Sequence, residues 1–341
     1  MDTFQFSQAA TLKQAVESGA QSRTAQQGAE VRFVAGGTTL IDLMKLNVER
    51  PRQIIDINGL GMNELQMDRI ATTADGGLMI GALARNADVA RHPTVEREYA
   101  VLSQALLSSA SPQLRNMATT AGNLLQRTRC VYFRDPAHAC NKREPGSGCS
   151  AIDGYNRMLA ILGTSKDCIA TNPSDQNVAL TALEATIQIE GVKGKRTVAI
   201  GDFYLLPGAT PERETVLEPG DVITSVTLPA PRPGTKSLYL KLRDRAAYEF
   251  ALASAAVVMK VNGGSIEHAR VALGGVGTRP WRSPEAEHAL EGQPVSKDTF
   301  RAAAEEAMIE AQPQSGNGFK IELAKRCLVR ALTMATAMKT A

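Results

Sequence analysis

Histidine is scarce in this chain, with four in 341 residues. No Ser-His-Asp arrangement, two-histidine metal motif or paired [2Fe-2S] cysteine pattern is present, so a hydrolytic triad and a histidine-held catalytic metal have no basis here. No stretch approaches about 18 uninterrupted apolar residues, which argues against a membrane-spanning helix. The opening Met1-Asp2-Thr3-Phe4-Gln5-Phe6 has no basic region leading into an apolar core, so no secretory signal is expected. Lysine and arginine form no dense block and the formal charge is only +3, which removes the case for nucleic acid or an anionic membrane as partner. What remains is an ordinary globular composition, 43% hydrophobic and 21% charged, long enough for two or three domains.

Cysteine is the informative residue. Four of the five, Cys130, Cys140, Cys149 and Cys168, fall in one segment, with gaps of 9, 8 and 18 residues (131–139, 141–148, 150–167). These gaps are longer than the two-residue spacings of zinc ribbons or bacterial ferredoxins, so the number of ligands says more than their spacing. An odd cysteine count without a signal argues against a disulfide framework and favours metal ligation. Zinc and [4Fe-4S] both accept four thiolates, and the residues alone leave both open. Lys142, Arg143, Arg127 and Arg129 lie close enough in sequence to offset negative charge there. His138 in a polar loop is expected to be solvated. Cys327, alone in the helical run Ile321 to Met338, reads as a buried apolar residue.

The segment is punctuated by Asp135-Pro136, Glu144-Pro145-Gly146-Ser147-Gly148 and Asp153-Gly154, so it reads as a long loop. Such a stretch within a compact domain needs something other than a core to hold it. Around it, Val31 to Ala35 reads as a strand, Leu40 to Leu46 as a helix, and Ile54 to Ile57 as a second strand. A hairpin is expected from Leu65 to Ile80 around Asp75-Gly76-Gly77. Arg85 to Arg91 reads as a short helix stopped by Pro93, and Tyr99 to Ala110 as a buried helix. Val178 to Glu184 reads as helix and Ala185 to Glu190 as strand. Pro229-Ala230-Pro231-Arg232-Pro233-Gly234 is a linker, because three prolines in five positions suit neither helix nor central strand. Beyond it, strands are expected at Ser237 to Leu242 and His268 to Leu273, and helices at Phe250 to Val258, Lys297 to Ala311 and Ile321 to Met338.

Two glycine-containing turns suit a phosphate. Gly36 and Gly37 permit backbone conformations that aim successive amides at an anion, Thr38 and Thr39 add hydroxyls, and a helix start follows. The turn is neither Gly-x-Gly-x-x-Gly nor a P-loop, so a nicotinamide-type Rossmann site is not expected. A plain strand-to-helix turn accounts for the first segment alone, and a plain loop for Thr119 to Asn123. Two such segments together favour a dinucleotide pyrophosphate.

Phe33-Val34-Ala35-Gly36-Gly37-Thr38-Thr39-Leu40, with Ala118-Thr119-Thr120-Ala121-Gly122-Asn123-Leu124, resembles the two FAD-binding segments of molybdenum hydroxylase flavoprotein subunits, the xanthine dehydrogenase and carbon monoxide dehydrogenase family. Lys241-Leu242-Arg243-Asp244-Arg245-Ala246-Ala247-Tyr248 resembles that family's C-terminal domain. The resemblance covers nearly the whole chain. It implies an α+β protein: a FAD-binding domain of the vanillyl-alcohol-oxidase (PCMH) type in two α/β subdomains, and a C-terminal α+β domain typical of carbon monoxide dehydrogenase flavoproteins. The expected bounds are 1–228, with subdomains of about 1–60 and 61–228 and a cysteine-rich insertion at 127–170, then 229–341.

The resemblance further implies that Phe33 to Leu40, Thr119, Thr120, Gly122, Asn123 and Asp175 of the Ser174-Asp175 pair contact FAD. Lys241 is assigned to the polar edge or ribityl chain of the flavin, and Tyr248 to its ring. No His, Cys or Tyr lies within Gly36 to Leu40, so FAD is expected to bind non-covalently.

The cysteine segment separates Asn123 from Ser174-Asp175 and is similar to an insertion found in the 4-hydroxybenzoyl-CoA reductase and bacterial aldehyde oxidoreductase branches. It is most similar to the latter, which implies that Cys130, Cys140, Cys149 and Cys168 hold a [4Fe-4S] cluster. The implied partners are a large molybdopterin subunit and a small [2Fe-2S] subunit, in a heterotrimer that passes electrons to an external acceptor. The cytoplasm is then the default compartment, with the periplasm reached by co-export with a partner bearing a twin-arginine signal. A stand-alone flavin oxidase of the vanillyl-alcohol-oxidase type and a zinc-stapled interaction module are the alternatives from other classes.

Overall fold

Three sheets organise the chain in a computed structural model that describes residues 1–61 and 66–338. The first is a small parallel sheet of β1 (Gln5–Gln8), β2 (Val31–Val34) and β3 (Gln53–Asp56), in the order β1-β3-β2. The second is antiparallel and contains β4 (Ile70–Thr72), β5 (Leu78–Gly81), β6 (Thr186–Gly191), β7 (Gly194–Ala199) and β8 (Val222–Leu228), in the order β4-β5-β8-β6-β7. β8 lies late in the sequence but between β5 and β6, so the residues between β5 and β6, 82–185, are inserted into one sheet. The third is a meander of β9 (Thr235–Leu242), β10 (Ala253–Asn262), β11 (Ser265–Gly274) and the short β12 (Trp281–Arg282).

The antiparallel sheet buries the face its sequence pattern marks. β6 alternates buried and half-buried residues, with Ile187 and Ile189 in the core shared with the helices Ala100–Ser108 and Asp175–Ala182. A second core forms between the meander and the helices Pro284–Leu290, Lys297–Glu306 and Phe319–Ala337. Cys327 lies in it, buried as expected, and burial pushes its thiol up to about 12. A third, smaller cluster belongs to the cysteine segment. Among the described residues no helix is long and apolar enough to cross a membrane.

Two local expectations need correction. Phe250 to Val258 is not a helix. Ala253 to Val257 are buried within β10, the central strand between β9 and β11. A strand covered on both faces shows a continuous apolar run with no alternation, and the small residues in it imitate a buried helix. Pro93 does not simply stop a helix: it begins the next one, Pro93–Glu98, at a first-turn position where its missing N–H costs nothing. The expected hairpin is β4–β5, and its proposed start at Leu65 lies outside the described residues.

Candidate functional site

The strand β2 delivers the chain into the Gly36-Gly37 turn and then into the helix Leu40–Lys45. Gly37 has φ +71°, in the left-handed region that favours glycine. At Gly36 the constraint is space: an added Cβ would overlap the Met117 carbonyl. The second segment's backbone therefore lies directly on the first. Asn58 and Arg85 fix this contact, with Asn58 Nδ2 donating to Ala35 O (3.0 Å), Arg85 Nη2 to Asn58 Oδ1 (3.1 Å) and Arg85 Nη1 to Met117 O (2.5 Å). Neither residue stands out in the sequence, since Asn58 only follows the expected strand Ile54 to Ile57 and Arg85 only opens an expected short helix.

The two segments use their amides differently. Among the described residues none accepts a hydrogen bond from the backbone N–H groups of Gly36, Gly37, Thr38 or Thr39, so these dipoles are free to meet an anion. In the second segment, the N–H groups of Thr120 and Ala121 donate to Ala84 and Ala82 carbonyls, and that of Gly122 to Thr119 Oγ1. That segment supplies wall rather than charge.

Two cavities share Thr38, Thr39 and Gly122. One, of about 180 Å³, is lined by all of Phe33 to Leu40, with Thr119 and Gly122, and continues to Leu217 and Ile223. The other, of about 300 Å³, is lined by Asn123, Asp175, Lys241 and Tyr248. Of the residues expected at the site, Thr120 alone lines neither. It is buried behind the loop, its hydroxyl donating to Ala84 O, because the short helix Thr120–Leu124 turns it inward.

The cysteine segment leaves after Asn123 and returns at Ser174. The structure rejoins these ends directly: Ser174 Oγ donates to Asn123 Oδ1 at 2.7 Å and caps the helix Asp175–Ala182 by accepting from Asn177 N. That cap places Asp175 at the cavity. Lys241 Nζ lies 2.7 Å from Asp175 Oδ2, and Tyr239 Oη donates to Asp175 Oδ1 at 2.5 Å. Burial, followed by the Asp175 charge, pushes the Tyr239 hydroxyl well above its ordinary value, so it keeps its proton and remains a donor. The alternating pattern of β9 puts Tyr239 and Lys241 on one face, a relationship the sequence contains but did not single out for Tyr239. Tyr248 is more than half exposed at the mouth, in a left-handed turn at φ +54°, with the Arg245 guanidinium 5.9 Å from its ring centre.

The four thiols lie in one cluster with Phe133, Leu159 and Ile169. Cys130, Cys140 and Cys168 are buried, and Cys140 faces Cys149 across an antiparallel bridge. Burial pushes Cys130 up to about 12, with Cys140 and Cys168 adding to it, while the nearby Phe133 and Tyr132 amides oppose the rise. Burial likewise raises Cys149 against the Ala151, Ile152 and Ile169 amides, and raises Cys168 against Lys142 and the Ala170 amide. Among the described residues no group of three or more His, Cys, Asp or Glu is arranged to hold a metal ion. The four expected ligands thus share one cluster, but their arrangement around a single metal ion is not seen among the described residues.

Of the nearby cations, Lys142 pairs with Glu214 at 3.0 Å, Arg127 with Glu49 at 2.5 Å, and Arg129 with Asp42 at 3.3 Å. Arg143 donates to the carbonyls of Tyr132, Phe133 and His138. His138 stays half-exposed, edge-on to Tyr132.

Known families match this layout. The family described as the FAD binding domain in molybdopterin dehydrogenase matches residues 2–231, and the CO dehydrogenase flavoprotein C-terminal domain matches 238–335. The aldehyde oxidoreductase FAD-binding subunit PaoB of Escherichia coli (strain K12) is 50% identical over 316 residues, 92% of this chain and 94% of that protein. The glyceraldehyde dehydrogenase medium chain of Sulfolobus acidocaldarius is 30% identical over 303 residues, 89% of this chain and 88% of that one. Among solved structures, the carbon monoxide dehydrogenase of Hydrogenophaga pseudoflava superimposes with a TM-score of 0.75 at 27% identity, covering 98% of both chains. A glycine turn with open amides, a second segment packed on it and a meander domain bringing lysine to the same cavity are thus found where both family descriptions place this chain: it belongs to the FAD-binding flavoprotein subunits of the molybdenum hydroxylases.

Proposed function

We propose that this chain is the electron-exit subunit of a molybdenum-containing aldehyde oxidoreductase. The observation that carries the flavin part is the pair of joined cavities running from the open amides of Gly36 to Thr39 to the Asp175–Lys241 pair. The aldehyde part rests on relatives named for aldehyde oxidation. A large molybdopterin subunit oxidises the aldehyde with water to the carboxylic acid, releasing two electrons and two protons, and a small [2Fe-2S] subunit carries the electrons to this chain in a heterotrimer. Bound FAD supplies the ability to take electrons singly and hand two to an external acceptor.

The residues of this chain bind and orient. The amides of Gly36 to Thr39 meet the pyrophosphate, Thr119, Gly122 and Asn123 form the opposing wall, and Leu217 and Ile223 shield the adenosine end. Asp175 holds the Lys241 ammonium at the inner cavity, where it offsets negative charge on the polar edge of the flavin. Tyr248 covers the mouth. The expected division at 228/229, between a FAD-binding part and a C-terminal part, is supported by the exposed Pro229–Gly234 connection.

The four cysteines hold a [4Fe-4S] cluster whose work is to staple residues 127–170. Supporting this, the segment carries a single short helix, Val131–Arg134, and the apolar cluster it forms with Leu43 and Val48 includes all four thiols. The segment's far end is sewn into the C-terminal part, with Ile161 and Leu162 N–H groups both donating to Val276 O. Reducing the complex with an aldehyde and following flavin absorbance tests the function: rapid bleaching in the complex, with no aldehyde turnover by this chain alone, is expected. Turnover by the isolated chain would make it a stand-alone flavin oxidase instead.

A further inference from the structure

A buried ion network lies between the nucleotide cavity and the cysteine cluster. Glu49, its side chain 2% exposed, pairs with Arg32 at 2.8 Å and with Arg127 at 2.5 Å. Arg127 also contacts Glu214, which pairs with Lys142 at 3.0 Å. Arg32, Glu49 and Arg127 line the glycine-turn cavity. Arg127, Lys142 and Glu214 line a neighbouring cavity of about 100 Å³ whose wall includes Cys168. Arg127 therefore belongs to both walls.

The balance of charge is uneven: three cations face two carboxylates. Arg127 Nη2 is buried and, among the described residues, has no hydrogen-bond partner, although the same guanidinium bonds Gln27 and Glu49 through Nη1 and stacks on Phe133 at 4.8 Å. An excess buried cation is costly unless an anion answers it. Both proposed occupants, a pyrophosphate at one end and a thiolate-ligated cluster at the other, are anionic. The arginine also transmits geometry: Nη1 on Glu49 and Nε beside Glu214 keep both contacts only while both walls are in place.

We infer that Arg127 is a positioning residue shared by the two sites, so that occupation of the cysteine site strengthens FAD binding and FAD strengthens retention of the cluster. This inference rests on the proposed FAD and iron–sulfur content. Such coupling is reciprocal, the same factor acting in both directions.

The test uses the full chain, wild type and Arg127→Gln, as purified and after iron removal with a chelator, with FAD affinity read from quenching of flavin fluorescence. In the wild type, iron removal is expected to weaken FAD binding by about fivefold or more. In Arg127→Gln, FAD binds more weakly from the start and its affinity no longer responds to iron. Glu214→Gln, which leaves the Arg32–Glu49–Arg127 side of the network intact, is expected to hold FAD at the affinity of the iron-free wild type and also lose the response, and it carries the test if Arg127→Gln does not fold. A wild type holding both groups but showing no iron dependence overturns the coupling and leaves the functional reading standing. Variants that respond like the wild type also overturn it, because general loosening of the insertion would act without Arg127. A wild type that holds no iron or no FAD removes the reading and this inference together.

Discussion

Asp175 and Lys241 meet at 2.7 Å with side chains only 5% and 4% exposed, one from the helix that follows the cysteine insertion and the other from the first strand of the C-terminal meander. Two chain segments separated by the Pro229–Gly234 connection thus share one buried ion pair at the cavity. Asp175→Ala leaves the ammonium uncompensated and is expected to cost about 3–5 kcal/mol. Denaturant unfolding measures that loss, and FAD retained per chain on gel filtration falls with it. Unchanged stability and full FAD retention would refute the pair's role.

Gly36→Ala drives a methyl group into the Met117 carbonyl, so the two segments must part. Overpacking of this kind costs about 1–3 kcal/mol. Because the same contact forms the cavity, a larger loss of FAD affinity than of stability is expected, measured by fluorescence titration beside thermal unfolding.

Cys130→Ser removes a donor from a pocket whose other three thiols lie in the same cluster. Iron content is expected to collapse, and limited proteolysis should cut within residues 127–170 faster than in the wild type. Flavin reduction in any surviving complex stays near the wild-type rate if the cluster is a staple. A slowed flavin with an intact insertion would make it an electron carrier.

Lys320 is fully buried, its ammonium donating to the carbonyls of Met158, Leu159 and Gly275. Burial, with Arg157 adding to it, pushes it down to about 7 from 10.5. Between these values the unfolded chain binds the proton and the folded chain does not, so this group makes stability rise with pH from about 7 to 10.5. Lys320→Met is expected to flatten that slope, as read from urea midpoints across the range.

Much of the site was legible because its parts are local. A glycine pair between a strand and a helix states its own geometry, whereas Ser174-Asp175 entered only through the resemblance, with the helix it caps expected to begin at Val178. Long-range partners were not. Asn58 and Arg85 act by joining residues 35 and 117, and Glu49 and Glu214 become neighbours only through Arg127. Tyr239 reads as one more strand residue until Asp175 is placed against it. Thr120 belongs to the expected motif, but the helix that begins there turns it away from the cavity. At Ala253 to Val257 periodicity had nothing to report, since a central strand and a buried helix are apolar in the same way.

The most direct test is an absorbance spectrum of the purified full chain with FAD, iron, sulfide and zinc quantified on the same sample. The expected protein is yellow-brown, with about one FAD released on denaturation and about four iron and four sulfide per chain, and little zinc. A colourless chain carrying about one zinc and no flavin would contradict both cofactor assignments and leave a metal-stapled interaction module in their place.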